Sequence, residues 1–200
     1  MGDYRQQMKV WLESNRPFSV GEIRAAGIPS QILADFRRQG KIERLSRGVY
    51  LPSNSESTEN LSLQIAALKV PNGVVCLLSA LRFHNFTTQL PHEIWLTVKQ
   101  HSRIPRLESP ELRITTMTEG AFQFGIEEHD LDGIKVKVYS AAKTVADCFK
   151  FRNKIGLDTV MEAVRFYRER KSINIDNLMY FADICRVKKV IQPYLEAIFQ

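Results

Sequence analysis

The stretch "GIPSQILADFRRQGKIERLSRGVYL" (Gly27–Leu51) decides how this chain is read. Ile32, Leu33 and Phe36 recur at helical spacing just after Pro29, Gly40 closes the segment, and "KIERL" and "VYL" pinch around "SRG". A helix over Ser30–Gln39 followed by a β-hairpin is the expectation. Upstream, "DYRQQMKVWLES" sets Tyr4, Met8, Trp11 and Leu12 on one stripe of an amphipathic helix. Ser19, with Glu22 three residues on, is a capping-box pattern for the short helix "VGEIRAAG", which Gly27 stops. Three helices and a hairpin within this length is the order of a winged helix-turn-helix.

In that motif the second helix of the pair enters the major groove. With Ile32, Leu33 and Phe36 turned inward, Ser30, Gln31, Ala34, Asp35, Arg37 and Arg38 face out or flank. Glutamine pairs bidentately with adenine and arginine with guanine, and a serine at a helix start suits a phosphate. Arg44 and Arg47 make the wing cationic, and Gly48 allows its tight turn. The six DNA-contact candidates are therefore Ser30, Gln31, Arg37, Arg38, Arg44 and Arg47. Asp35 on the same face counts against a purely electrostatic DNA surface.

Charge agrees with this placement. The chain is +6 overall. Residues 1–52 hold nine Lys/Arg against five Asp/Glu (net +4), leaving nineteen against seventeen (net +2) for the other 148. A cationic module suits a polyanionic partner.

"PSNSESTEN" (52–60) is polar and aperiodic and reads as a linker. The expected organisation is a winged helix over 1–52, a linker over 53–60 and an α+β domain over 61–200. In the latter, "TENLSLQIAALKV" and "VVCLLSALRFHNF" read as helices. "EIWLTVK", "ELRITTM", "GIKVKVYS" and, in part, "AFQFGIEE" alternate like strands of a small antiparallel sheet. From Ser140 the helical period returns to the C-terminus. Lys143, Lys150 and Lys154 fall at i, i+7 and i+11, so a basic stripe on one helical face is a further expectation.

Several function classes find no support. Cys76, Cys148 and Cys185 are widely spaced in apolar contexts and read as buried thiols. His84, His92, His101 and His129 have no metal-ligand spacing, so no metal and no cofactor is expected, and no phosphate-binding glycine loop occurs. Ser79 with His84 and Ser140 with Lys143 could pair nucleophile and base, but both serines read as helix N-caps. A nuclease would need a carboxylate pair and a lysine at a metal; Glu93 with Lys99 and Asp132 with Lys135 are unconvincing. No enzymatic activity is expected. No run is long and apolar enough to span a bilayer, and the charged N-terminus is no signal peptide, so a cytoplasmic location is expected.

Four segments, "GIPSQILADFRRQGKIERLSRGVYLP", "LSALRFHN", "PHEIWLTV" and "GIEEHDLDGIKVKVYSAAKTVADCFKFRNKIGLD", together resemble the AbiEi antitoxins of bacterial type IV toxin-antitoxin systems. The resemblance is carried most by "RGVY" (47–50) and "AAKTVADCFKFRNKIG" (141–156). It implies an N-terminal winged helix that binds inverted repeats upstream of its own operon and represses it. It also implies a C-terminal domain that opposes a nucleotidyltransferase-like toxin without a stable complex. Lys143, Thr144, Asp147 and Arg152 form the family-like C-terminal motif. Other readings of the residues are a ligand-sensing winged-helix regulator, or an enzyme acting on nucleic acid through the C-terminal domain.

Overall fold

The computed structural model describes residues 4–56, 58–105, 107, 109–171 and 173–199. They condense into two compact units: residues 1–71 with 104–111 and 130–136, and the remainder of the chain.

The first unit opens with the expected winged-helix order. Helix α1 (Tyr4–Glu13) buries Met8, with Trp11 and Leu12 partly covered on the same stripe. Strand β1 (Phe18–Ser19) leads into α2 (Val20–Ala25). The capping box forms: Ser19 Oγ accepts from Glu22 N at 3.1 Å, and Ser19 N donates to Glu22 Oε2 at 2.7 Å. Helix α3 (Ser30–Arg38) follows Pro29 and buries Leu33 and Phe36. Strands β2 (Ile42–Ser46) and β3 (Val49–Pro52) form the wing, and the three strands pair antiparallel in the order β1-β3-β2. The core is Met8, Phe18, Ile23, Ile28, Leu33, Phe36 and Ile42. Each such side chain contributes about 1.5–3 kcal/mol on leaving water, which is how so short a segment holds one shape.

Helix α4 (Leu61–Lys69) belongs to the same unit and buries Gln64, Ile65 and Ala66. The Gln64 amide donates to Leu131 O at 3.1 Å and to Asp132 Oδ2 at 2.9 Å, so the buried polar group is satisfied by a turn distant in sequence.

The second unit holds most of the larger sheet and the C-terminal helices. Its elements are β4 (Val74–Val75), α5 (Leu77–Phe83), β5 (Ile94–Lys99), β6 (Leu112–Met117) and α6 (Glu119–Phe122), then β7 (Ile126–Leu131) and β8 (Ile134–Tyr139). After them come α7 (Ala141–Lys150), α8 (Arg152–Ile155), α9 (Leu157–Arg168), α10 (Ile175–Ile184) and α11 (Lys188–Phe199). The first residues of β8 and the last of β7 fall in the first unit. The five-stranded sheet runs β6-β5-β4-β8-β7.

The class is α+β, as the sequence indicates, and the sheet is mixed: β4 pairs antiparallel with β5 but parallel with β8, and β5 pairs parallel with β6. Side-chain alternation marks which face of a strand is buried and carries no information on strand direction. The run expected as one helix from Val74 is split, because Val74 and Val75 enter the sheet and Cys76 caps α5. Likewise "AFQFGIEE" ends α6 before β7 begins. Helix α7 is the hub of the unit: every residue from Ala142 to Phe149 is buried, with α5, α9, α10 and α11 packed around it.

Candidate nucleic-acid interface

Pattern places Leu33 and Phe36 of α3 in the core, and geometry then dictates what faces out. Ser30, Gln31, Ala34, Arg37 and Arg38 are exposed and Asp35 half-buried. Two stripes result from the helical spacing: Ser30, Ala34 and Arg37, and beside it Gln31, Asp35 and Arg38. Arg38 NH2 pairs with Asp35 Oδ1, so one of the two arginines already holds an anion on its own helix. Arg37 and Arg38 also sit in the last turn, where cations complement the helix dipole. Ser30 opens the helix, and its side chain is not the cap, since Pro29 holds that position without a side-chain bond.

The wing tip is the two-residue turn Arg47–Gly48. Gly48 takes a φ of 84°, a left-handed conformation that glycine adopts without a Cβ penalty. The register shifts between Arg44 and Ser46, a bulge that bends the strand just before the tip. Arg44 and Arg47 are exposed, and Arg44 Nε donates to Ser46 O at 3.2 Å. Among the six candidates, Ser30, Gln31, Arg37 and Arg38 share α3, and Arg44 and Arg47 share the wing. A fifth cation, beside the four candidate arginines and overlooked by sequence reading, reaches the tip: Lys69 Nζ donates to Arg47 O. It lies twenty-two residues from Arg47, and nothing in the spacing signals the contact.

The C-terminal motif has a different character. Lys143, Thr144 and Asp147 are each fully buried. Lys143 Nζ donates to Asp147 Oδ2 at 2.5 Å, lies 4.3 Å from the centre of the Tyr139 ring and 4.0 Å from Met117 Sδ. Cys185 Sγ donates to Asp147 Oδ1 at 3.1 Å, which satisfies the second carboxylate oxygen. Burial pushes the Asp147 carboxyl above its ordinary value, against the pull of the Lys143 ammonium and of the Lys143 and Cys185 hydrogen bonds. Burial likewise pushes the Cys185 and Cys76 thiols up to about 12 and the Cys148 thiol well above its ordinary value, so all three are poor nucleophiles.

Thr144 Oγ1 donates to Tyr139 O at 3.1 Å, and His84 Nε2 meets the same carbonyl at 2.7 Å. Arg152 stands apart, half-exposed on α8, with NH1 donating to Phe149 O at 2.9 Å. The structure therefore brings three of the four motif residues together in a sealed network.

That network removes the basic stripe. Lys143 points into the core and does not share a face with Lys150 and Lys154; α7 ends at Lys150 and Lys154 belongs to α8. The Ser140–Lys143 pair is also accounted for: Ser140 Oγ caps α7 by accepting from Lys143 N at 3.3 Å, while the Lys143 ammonium is held by Asp147. Ser79 is not a cap; buried within α5, its Oγ accepts from Trp95 N at 2.9 Å and ties helix to sheet. His84 is buried. Among the described residues no group of three potential ligands could hold a metal ion, and no helix is long and apolar enough to cross a membrane.

Comparison with known proteins bears on the module just described. A family model described as "Transcriptional regulator, AbiEi antitoxin" matches residues 6–53. Over those residues the chain is similar to the AbiEi antitoxin regulators. The match begins within α1 and ends just past β3, so it contains both α3 and the wing but not α4. No curated protein matches the chain in sequence. Among solved structures, the Rv2827c protein of Mycobacterium tuberculosis is similar in fold, with a TM-score of 0.54 and 11% identity, covering 98% of this chain and 82% of that one. At that identity the likeness extends the shared architecture past residues 6–53 and says nothing of activity.

Proposed function

We propose that the winged helix of residues 1–52 binds duplex DNA, with α3 in the major groove and the wing on the adjacent backbone, and that it represses its own operon at inverted repeats upstream. The observation that carries this is the division of α3: Leu33 and Phe36 are buried while Ser30, Gln31, Arg37 and Arg38 are exposed, on a helix followed by a wing tipped with Arg44 and Arg47. Gln31 offers the base-edge contact; Ser30 at the helix start and the wing arginines offer phosphate contacts that set register. The domain over 61–200 then supplies the antitoxin action, opposing a nucleotidyltransferase-like toxin without a stable complex. The sealed Lys143–Asp147 network supports a stabilising role for the C-terminal motif within that domain, with no catalytic step assigned to it.

A gel-shift titration against the DNA upstream of its own gene tests the first half. Affinity well above that for scrambled DNA, falling steeply with salt, is expected; equal affinity for both would sink the operator reading. Co-expression with the product of a neighbouring nucleotidyltransferase-like gene tests the second. Growth arrest by that product should be relieved by the full chain, whichever variant of Arg37 and Arg38 it carries.

A further inference from the structure

The turn at the wing tip is held in an unusually complete way. Its three consecutive carbonyls each accept a hydrogen bond: Ser46 O from Arg44 Nε at 3.2 Å, Arg47 O from Lys69 Nζ, and Gly48 O from Val20 N at 2.9 Å. Two of these donors are cations, one on β2 and the other on α4. An unbound carbonyl at a wing tip would turn the negative end of its dipole toward an approaching phosphate. Engaging all three removes that repulsion and fixes the turn that displays Arg47.

Lys69 is itself well anchored. Ile65 and Ala66 are buried, Val70 N donates to Ala66 O at 2.8 Å, and Gln64 is bound at two points to the Leu131–Asp132 turn. Helix α4 is thus a strut that brings the Lys69 ammonium to the Arg47 carbonyl.

We infer that Lys69, outside the family-matched segment, is part of the DNA-binding surface: it positions the wing through the Arg47 carbonyl and adds a third positive charge beside Arg44 and Arg47 for a backbone phosphate. This rests on the proposed DNA binding by the winged helix. A phosphate contact is blind to sequence, so its loss weakens specific and non-specific binding alike. It also reduces the number of counterions released, a readout that loss of packing alone would not move.

The test is a salt titration of binding by the full chain to two duplexes, the DNA upstream of its own gene and a scrambled duplex of equal length. Lys69→Met should bind both about tenfold more weakly and lower the slope of log affinity against log salt by about 1, whereas Lys69→Arg should keep the slope. Wild-type affinity and slope in Lys69→Met, beside a loss in Arg47→Met, would overturn the inference and leave the DNA-binding reading intact. A fall in affinity with no change of slope would also overturn it, since Lys69 would then only brace the fold. A wild-type chain that binds neither duplex in a salt-dependent way would instead sink the proposed function itself. Should Lys69→Met lose its fold by circular dichroism, Lys69→Gln is read by the same criteria.

Discussion

Lys143 and Asp147 show how much a single pair of residues can demand of the structure around it. Both are fully buried, and the attraction between them is set against the cost of taking two charges out of water. Removing one partner leaves the other buried and uncompensated. Lys143→Met should therefore cost about 3–5 kcal/mol in urea unfolding, while Lys143→Met combined with Asp147→Leu should recover most of that loss. A double variant that stays folded yet loses antitoxin action would show that the pair does more than hold the core. Gly125 is tied to the same lysine: it has a φ of +73°, and a Cβ there would lie 2.8 Å from Lys143 Cβ. Gly125→Ala should destabilise by about 2–4 kcal/mol, combining a strained backbone with overpacking. Sequence spacing could not show this network. Lys143, Lys150 and Lys154 repeat as a solvent stripe would, but α7 is enclosed by four other helices and has no solvent face along Ala142–Phe149. A lysine there must turn inward and find a carboxylate one turn away.

Within α3 the two faces separate stability from recognition, and they can be perturbed independently. Phe36 is buried, and Phe36→Ala should cost about 3–5 kcal/mol by thermal or urea melting. Arg37→Ala with Arg38→Ala touches only exposed side chains and the surface ion pair with Asp35, so stability should change by no more than about 1 kcal/mol while DNA affinity falls. Unchanged affinity in that double variant would mean that α3 is not the element in the groove. The short α2 offers a control: Ser19→Ala removes one half of a reciprocal cap and should cost about 1 kcal/mol without altering either face of α3. These elements were legible in the sequence because their signals are local: a cap three residues from its partner, an apolar stripe, a glycine after the last turn. The same locality explains what was not legible. Strand β4 is two residues long inside an apolar run, and its parallel partner, Val138, lies more than sixty positions away. Lys69 meets the wing, and Gln64 on the same helix meets the Leu131–Asp132 turn, through contacts far apart in sequence.

Over the whole chain, charge and burial together set how stability follows pH. His84 is buried, with its ring nitrogen on Tyr139 O, and burial pushes its pKa below the ordinary value, with nearby Arg170 and His129 acting the same way and Tyr139 O and Glu127 opposing them. A histidine whose folded pKa lies below its unfolded value takes up its proton more readily unfolded, so stability is fully present above the unfolded pKa of about 6.5 and declines as pH falls below it. Glu162 acts in the same direction but lower. Although burial would raise it, hydrogen bonds from Thr88 N, Thr88 Oγ1 and Thr87 Oγ1 hold its carboxyl below the ordinary value. Its contribution is lost only as pH falls through the carboxylate range. Asp147, pushed up by burial, has the opposite sign, its contribution being lost as pH rises through its folded value. Between pH 7.5 and 5.5 the His84 contribution to unfolding free energy falls on acidification with a slope of at most about 1.4 kcal/mol per pH unit for this one proton, and Asp147 opposes it wherever the pH lies below its folded value. His84→Gln keeps a donor for Tyr139 O but cannot titrate. It should be less stable at pH 7.5 and yet show a flatter profile down to pH 5.5, measured by urea unfolding across that range. A profile as steep as that of the wild-type chain would move the titration to another group.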